Sequence, residues 1–278
     1  MSNLPEVKKM FSNEACLGNL KAMLGTKAQG FATSVLSVVN NNKLLQNASA
    51  QSIYTSAMVA ASLDLPINPN LGFAALVPYG GTCQMQVMTR GLTQLAIRSG
   101  QYQRINNAIV YDGQLIKEDP FTGEYEFDFH AKKSDNVIGY VAYFKTIGGF
   151  EKYFYMTKEE VEKHGRKYSK TYNNGVWKTD FDSMALKTVL KMLLSKFGIL
   201  SIEMQRAIRF DQASIKGDFN SVDDIDELDA EYVDNEKEKA ADEEKAKKLA
   251  KEFADFEEVK DKNVNVDKKT GEILGDKK

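Results

Sequence analysis

The sequence predicts an α+β fold, with a small, mainly antiparallel sheet flanked by helices and followed by a disordered acidic C-terminal tail. Three observations predict it. Apolar residues recur at helical spacing ahead of Leu63 and again after Thr157. The stretch from Gln101 to Met156 reads as short strands divided by DG, GG and Ser-Asp-Asn turns. Beyond Phe210 the composition becomes acidic and poor in apolar side chains, too poor to offset the chain entropy of folding.

In chain order, the front is helical. Phe31, Val35, Val38 and Val39 share one helix face, and Ala50 to Leu63 is a second apolar-periodic stretch, ended by the prolines of LDLPINPN. FAALVPYGGTCQMQVM places Gly80-Gly81 between two strand-like runs, a hairpin signal. Thr89 is positioned to cap a helix running to Arg98, with Gly100 as its stop. NNAIVY, EYEFDFH, VIGYVAYFKT and FEKYFYM supply the strands. Thr157 and Glu160 then form a capping box, the basic connection GRKYSKTYNNGVWK follows, and a helix from Asp180 to Phe197 stops at Gly198. This divides the chain into an N-terminal helical segment, 1–24, an α+β body, 25–210, and a tail, 211–278. Within the tail, Leu249, Phe253 and Phe256 recur as on a short amphipathic helix between Ala240 and Phe256.

Charge is unevenly divided. Residues 211–278 hold 22 acids and 13 bases, whereas residues 1–210 hold 17 acids and 24 bases. A basic body is the usual footprint of a nucleic-acid partner. No apolar run approaches the roughly 20 residues of a membrane span, and MSNLPEVKKM lacks the apolar stretch of a signal peptide, so the expected location is cytoplasmic. Cys16 and Cys83 have no metal-site or disulfide spacing. Neither a GxxxxGK[ST] loop nor a strand followed by GxGxxG is present, which leaves ATP and dinucleotides without a recognisable cradle. The two histidines, His130 and His164, accompany no nucleophile elbow.

Two patterns carry candidate chemistry. Glu124, Glu126, Asp128 and His130 alternate along one strand and could converge on Mg²⁺ or Mn²⁺ beside a phosphodiester, as in a nuclease. The competing reading is the wet face of a strand whose Tyr125, Phe127 and Phe129 face the core. The second pattern is basic. Arg90, Gln94 and Arg98 form a polar helix stripe, and Lys187 and Lys191 form an i, i+4 pair on the later helix. The connection between them interleaves Arg166, Lys167, Lys170 and Lys178 with Tyr168, Tyr172 and Trp177. Bases of this kind hold phosphates, and aromatic faces stack unpaired nucleobases.

The blocks LDLPINPNLGFAALVPYGGTCQMQVMTRGLTQLAIRSGQ, VYDGQ, FDFH, IGYVAYFKTIGGFEKYFYMTKEEVEKHGRKYSK and VWKTDFDSMALKTVLKMLLSKF, in that order over Leu63 to Phe197, resemble the RecT family of phage and prophage recombinases. The resemblance implies single-stranded DNA binding and ATP-independent annealing by residues 25–210, with no cofactor required and Mg²⁺ at most modulating. It also implies a homo-oligomeric ring or filament, with the N-terminal segment as contact surface, and a 5′-to-3′ exonuclease partner. A host single-strand-binding protein is a further expected partner, and the annealed duplex is the product held. On the matching positions it selects Arg90, Arg98, Arg166, Trp177 and Lys187 for DNA contact or for support of the groove. Two further functions stay open: the divalent-metal nuclease, and a passive single-strand-binding protein that protects strands without pairing them.

Overall fold

The computed structural model describes residues 2–119, 121–169, 171–217, 219 and 221–231. The expected tail helix with Leu249, Phe253 and Phe256, and the candidate Lys170, lie outside the described residues.

The front of the chain builds a helical layer: α1 (Leu4–Phe11), α2 (Glu14–Leu24), α3 (Ala28–Asn40), the short α4 (Lys43–Gln46) and α5 (Ala50–Ser62). Asn13, Asn42 and Ser49 accept the first free N–H groups of α2, α4 and α5. α5 is the central member, because its small and apolar side chains, from Ile53 through Ala61, are buried on nearly every side. α1 and α2 pack against it through Val7, Phe11, Cys16 and Leu20, all at most 3% exposed. Residues 1–24 therefore spend their apolar faces within their own chain.

Next comes a two-stranded hairpin, β1 (Ala74–Tyr79) with β2 (Thr82–Val87), closed by Gly80 and Gly81, both at positive φ as a tight two-residue turn requires. α6 (Thr89–Arg98) follows. Thr89 is its first helical residue rather than its cap, and Met88 at the cap position provides no side-chain bond.

The main sheet has the order β3-β6-β7, formed by β3 (Tyr102–Tyr111), β6 (Val137–Thr146) and β7 (Glu151–Thr157), all antiparallel. A separate hairpin, β4 (Leu115–Asp119) with β5 (Glu124–Phe127), leaves between β3 and β6. It is pinned to the sheet end by buried Gln114, which accepts the Tyr111 N–H at 2.8 Å and donates to the Phe129 carbonyl at 2.9 Å. Strand alternation sorts the sheet into two faces. Ile105, Asn107 and Ile109 share the inner face with Tyr140, Ala142, Phe144, Phe154 and Met156. The outer face carries Arg104, Asn106, Val141, Tyr143, Lys145, Glu151, Tyr153 and Tyr155.

The helices α7 (Lys158–Tyr168), α8 (Val176–Thr179) and α9 (Phe181–Phe197) follow, and α7 and α9 pack against the sheet. The Thr157–Glu160 capping box is present with both reciprocal bonds. Asp180 caps α9, accepting from Ser183 N–H at 3.2 Å. The inner face meets α9 directly, with Asn107 donating to the Leu186 carbonyl and the Tyr140 hydroxyl donating to Asp182 at 2.5 Å. Burial first, then the Asp182 carboxylate, pushes the Tyr140 phenol upward.

The chain does not leave the fold at residue 211. α10 (Ile202–Phe210) leads into β8 (Ser214–Lys216), a 3₁₀ turn over Val222–Glu227 and β9 (Asp229–Glu231), which pairs with β8. Phe219, Ile225 and Leu228 are buried in the same core as α5. The expected tail boundary at residue 211 is thus wrong for residues 211–231. Their low apolar content concealed a segment that contributes three large anchors to a core built by others. The electrostatic reading changes with it. Residues 211–231 hold eight acids and one base, so residues 1–231 hold 25 of each. The folded unit is close to neutral, and any phosphate affinity must come from local patches.

Candidate nucleic-acid interface

Basic side chains on four elements were singled out, and the structure gives them different surroundings. On α9, Lys187 is 3% exposed and its Nζ lies 3.1 Å from Asp211 Oδ1. Lys191 Nζ lies 2.6 Å from Asp211 Oδ2. Asp211 itself is fully buried and also accepts the Val87 N–H of β2 at 2.9 Å. Three donors thus converge on one carboxylate. Burial alone would raise the Asp211 pKa, but the two ammonium groups and their hydrogen bonds outweigh it and hold the carboxyl below its ordinary value. Burial pulls Lys187 down, against the attraction of Asp211. Lys187 is therefore a tie between α9, the end of α10 and β2, and its ammonium is closed to a phosphate. Lys191 is the half-open rim of the same cluster.

On α6, the predicted stripe is present, with Arg90 and Arg98 exposed and Gln94 half-buried between them. Both arginines reach toward the segment after α5. Arg98 donates to the Leu63 carbonyl at 2.7 Å and lies 3.8 Å from Asp64, which Lys27 also pairs at 2.8 Å. Arg90 donates more weakly to the Leu71 carbonyl at 3.3 Å. Arg98 is largely committed to closing the end of α5, and Arg90 keeps more of its donor capacity.

The α7–α9 connection is where several cations gather. Arg166 has a 62% exposed side chain, a marginal 4.0 Å contact with Glu162, and its guanidinium over the Tyr172 ring at 4.8 Å. The Lys167 ammonium lies 5.1 Å from the Tyr168 ring, and Lys178 is exposed on α8. Tyr168 is 47% exposed, but Trp177 is 7% exposed and sits between Tyr172 and Phe181, with ring centroids 5.7 and 5.5 Å away. Tyr172 and Trp177 press so closely on α7 that a Cβ at Gly165 would lie 2.8 Å from the Tyr172 ring. Trp177 is thus a buried anchor of the loop, and Tyr168 is its accessible ring.

His164 reports the local field. Burial, then the ammonium groups of Lys191, Lys167 and Lys196, hold its pKa below the usual histidine value. The C-terminal half of α7 and the outer turns of α9 therefore form one positive patch. Lys196, above the Phe154 ring at 5.1 Å, belongs to it and was missed by sequence reasoning, because its i, i+5 offset from Lys191 follows no single helix stripe. The acidic ladder is not assembled. β5 ends at Phe127, Asp128 turns to accept the His130 N–H at 2.9 Å, and Tyr125 and Phe127 pack on the outer face of the sheet. Among the described residues no three His, Cys, Asp or Glu side chains are grouped to hold a metal ion.

A helix-backed antiparallel sheet with an exposed basic and aromatic loop defines the class: an α+β protein whose open surface suits a flexible polyanion. The comparisons with known proteins narrow this. The sequence model of the RecT family matches residues 29–229, and the chain belongs to that family, whose members act in DNA recombination by single-strand annealing. The match runs past residue 211 almost to the end of β9, in step with the folded C-terminal segment. "Uncharacterized protein YqaK" of Bacillus subtilis (strain 168) is 50% identical over 202 residues, covering 73% of this chain and 70% of that protein. "Protein RecT" of Escherichia coli (strain K12) is 30% identical over 182 residues, covering 60% of this chain and 65% of that protein. No helix among the described residues is long and apolar enough to cross a membrane.

Proposed function

We propose that this chain binds single-stranded DNA and anneals complementary strands without nucleotide hydrolysis, as the strand-pairing component of a homologous recombination system. The observation that carries the reading is the coincidence of the family match over residues 29–229 with an open cationic patch inside it. Two complementary strands repel through their phosphates, and each hides its bases in internal structure. A basic surface that releases counterions lowers the first barrier, and holding a strand extended lowers the second. Strand contact falls to Arg90, Gln94, Arg166, Lys167, Lys178, Lys191 and Lys196, while Arg98, Trp177 and Lys187 hold the elements that present them. No cofactor is required, and Mg²⁺ at most modulates DNA binding. Copies of the chain assemble side by side as a ring or filament, and the partners are a 5′-to-3′ exonuclease and a host single-strand-binding protein in the cytoplasm.

The test is an annealing assay with complementary oligonucleotides, run with no nucleotide, with ATP and with a nonhydrolysable analogue. Equal rates in the three arms are expected, and a strict nucleotide requirement would overturn the reading. The strands must also keep their length in Mg²⁺ and Mn²⁺, which a nuclease would not allow. Pairing must run faster with protein than without, which a passive single-strand-binding protein would not achieve.

A further inference from the structure

We propose that the outer face of the β3-β6-β7 sheet is a second single-strand site, on the side of the sheet opposite the inner face that meets α9. The inference rests on the single-strand reading above and concerns residues that the basic stripes did not include. Three cross-strand rows define the face: Arg104, Lys145 and Glu151; Asn106, Tyr143 and Tyr153; and Ala108, Val141 and Tyr155.

The aromatic residues of the face divide by what they touch. Tyr155 lies 5.7 Å from Tyr125 and 6.0 Å from Phe127, ring to ring, and its hydroxyl reaches the Ile138 carbonyl at 3.4 Å. That group fastens the β4–β5 hairpin to the sheet. Tyr143 and Tyr153 lie in the adjacent row, with ring centroids 4.6 Å apart; Tyr153 touches the hairpin only through Phe127, at 6.0 Å, and its hydroxyl makes no hydrogen bond among the described residues. Phe129, stacked 5.9 Å from Phe127, extends the aromatic surface and is 47% exposed.

The charges of the face are arranged to leave one cation open. Glu151 accepts from the Tyr143 hydroxyl at 2.7 Å and pairs Lys145 at 3.4 Å, and these contacts, with Arg104 nearby, hold its carboxyl below the usual value. Arg104 is exposed and makes no hydrogen bond among the described residues, and Asn106 beside it is exposed as well. A planar guanidinium without a hydrogen-bond partner, an amide and two half-buried tyrosines in adjacent rows match what an unpaired strand presents: a phosphate every nucleotide and a flat base beside it. A protein contact would use the same rings but has no need of a solvent-facing arginine whose neighbouring acid, Glu151, is already taken by Tyr143 and Lys145. The ligand class is therefore single-stranded nucleic acid, bound by stacking and one or two phosphate contacts, so this site is weaker than the α7–α9 patch and less sensitive to salt.

The experiment uses the full chain saturated with an unlabelled oligothymidine. It is then titrated with a second, non-complementary oligonucleotide carrying 5-iododeoxyuridine, photo-crosslinked, and the attached peptides are mapped. Crosslinks to Tyr143 or Tyr153 are expected. Arg104→Ala and Tyr153→Leu, each checked for an unchanged melt, should weaken capture of the second strand roughly tenfold and leave the first strand's affinity unchanged. Arg104→Ala removes an exposed side chain that makes no hydrogen bond among the described residues, which keeps the test apart from folding. Unchanged capture with crosslinks elsewhere would overturn the proposal while leaving the single-strand reading intact. So would a change in sedimentation without a change in capture, which would make the face a contact between copies. If the wild-type chain takes up neither strand, the single-strand reading itself falls.

Discussion

α9 and the connection that precedes it carry basic residues of the same kind, and the fold uses them in opposite ways. On α9, Lys187 and Lys191 close on a carboxylate that is fully buried. In the connection, Arg166 and Lys178 face solvent, and Arg166 has only a 4.0 Å contact with Glu162 and a ring beneath it. The difference is made by one residue, Asp211, brought in from the far side of α10. A buried ammonium without a partner is strongly disfavoured, so Lys187 and Asp211 are obliged to meet. An exposed arginine has no such constraint and remains available to a ligand. A count of charges does not distinguish the two regions, but the position of the nearest acid does.

The comparison breaks first at the C-terminal segment. A chain ending at Phe219 loses Ile225 and Leu228, which are 0% and 2% exposed, and the Asp226 partner of Arg206. Removing two large buried aliphatics should cost about 4 kcal/mol or more, and calorimetry should find the cooperative melt abolished or lowered by more than about 8 °C, at roughly 2–4 °C per kcal/mol for a unit of this size. A chain ending at Glu231 should melt as the full-length protein does. If both truncations melt alike, residues 220–231 do not belong to the core.

Asp211→Ala comes next, because it strands Lys187 in the interior, and a loss of about 3–5 kcal/mol is expected. The pH dependence follows from the lowered carboxyl. Its contribution is full above the unfolded value of about 4 and fades as the pH falls toward the lowered folded value. The gap in denaturation midpoint between wild type and Asp211→Asn should stay constant from pH 5 to 8 and close only in stronger acid. A gap that closes near pH 7 would mean that the carboxylate is not the charged partner.

A smaller effect sharpens the other side of the comparison. Arg166→Ala with Lys178→Ala should leave the melt in place and reduce the log–log salt slope of oligonucleotide binding by about 0.7 for each phosphate no longer bound. An unchanged slope would remove the connection from the interface. The smallest effect concerns Arg98, whose bond to the Leu63 carbonyl is partly exposed. Its replacement by Ala should cost about 1 kcal/mol of stability and leave the salt slope where it was, whereas a reduced slope would restore Arg98 to the residues that touch the strand.

Much was legible from the chain itself where local chemistry decides. The Thr157–Glu160 box, the Gly80-Gly81 turn, the helix that ends at Gly198 and the alternation of β6 and β7 all follow from neighbours within a few residues, and each is present. So is the α+β class, and the expected basic loop is present, with Arg166, Tyr168 and Lys178 exposed around the buried Trp177. Elements with little pattern of their own, β4, α10, β8 and β9, were not legible, since each is stabilised by what it packs on.

The sequence by itself determined the fold class, the types of its strongly patterned elements, the absence of a recognisable phosphate loop and the family, because these depend on local propensity and ordered motifs. Tertiary structure alone decided which cations are free. Lys187 and Arg166 are indistinguishable to composition and spacing, and Trp177 and Tyr168 are both aromatic neighbours of basic residues. Their fates diverge because Asp211, 24 residues beyond Lys187, folds back against α9, and because Gly165 lets Tyr172 and Trp177 close on α7. Desolvation acts through space, and only the fold determines which distant residue stands near enough to answer it.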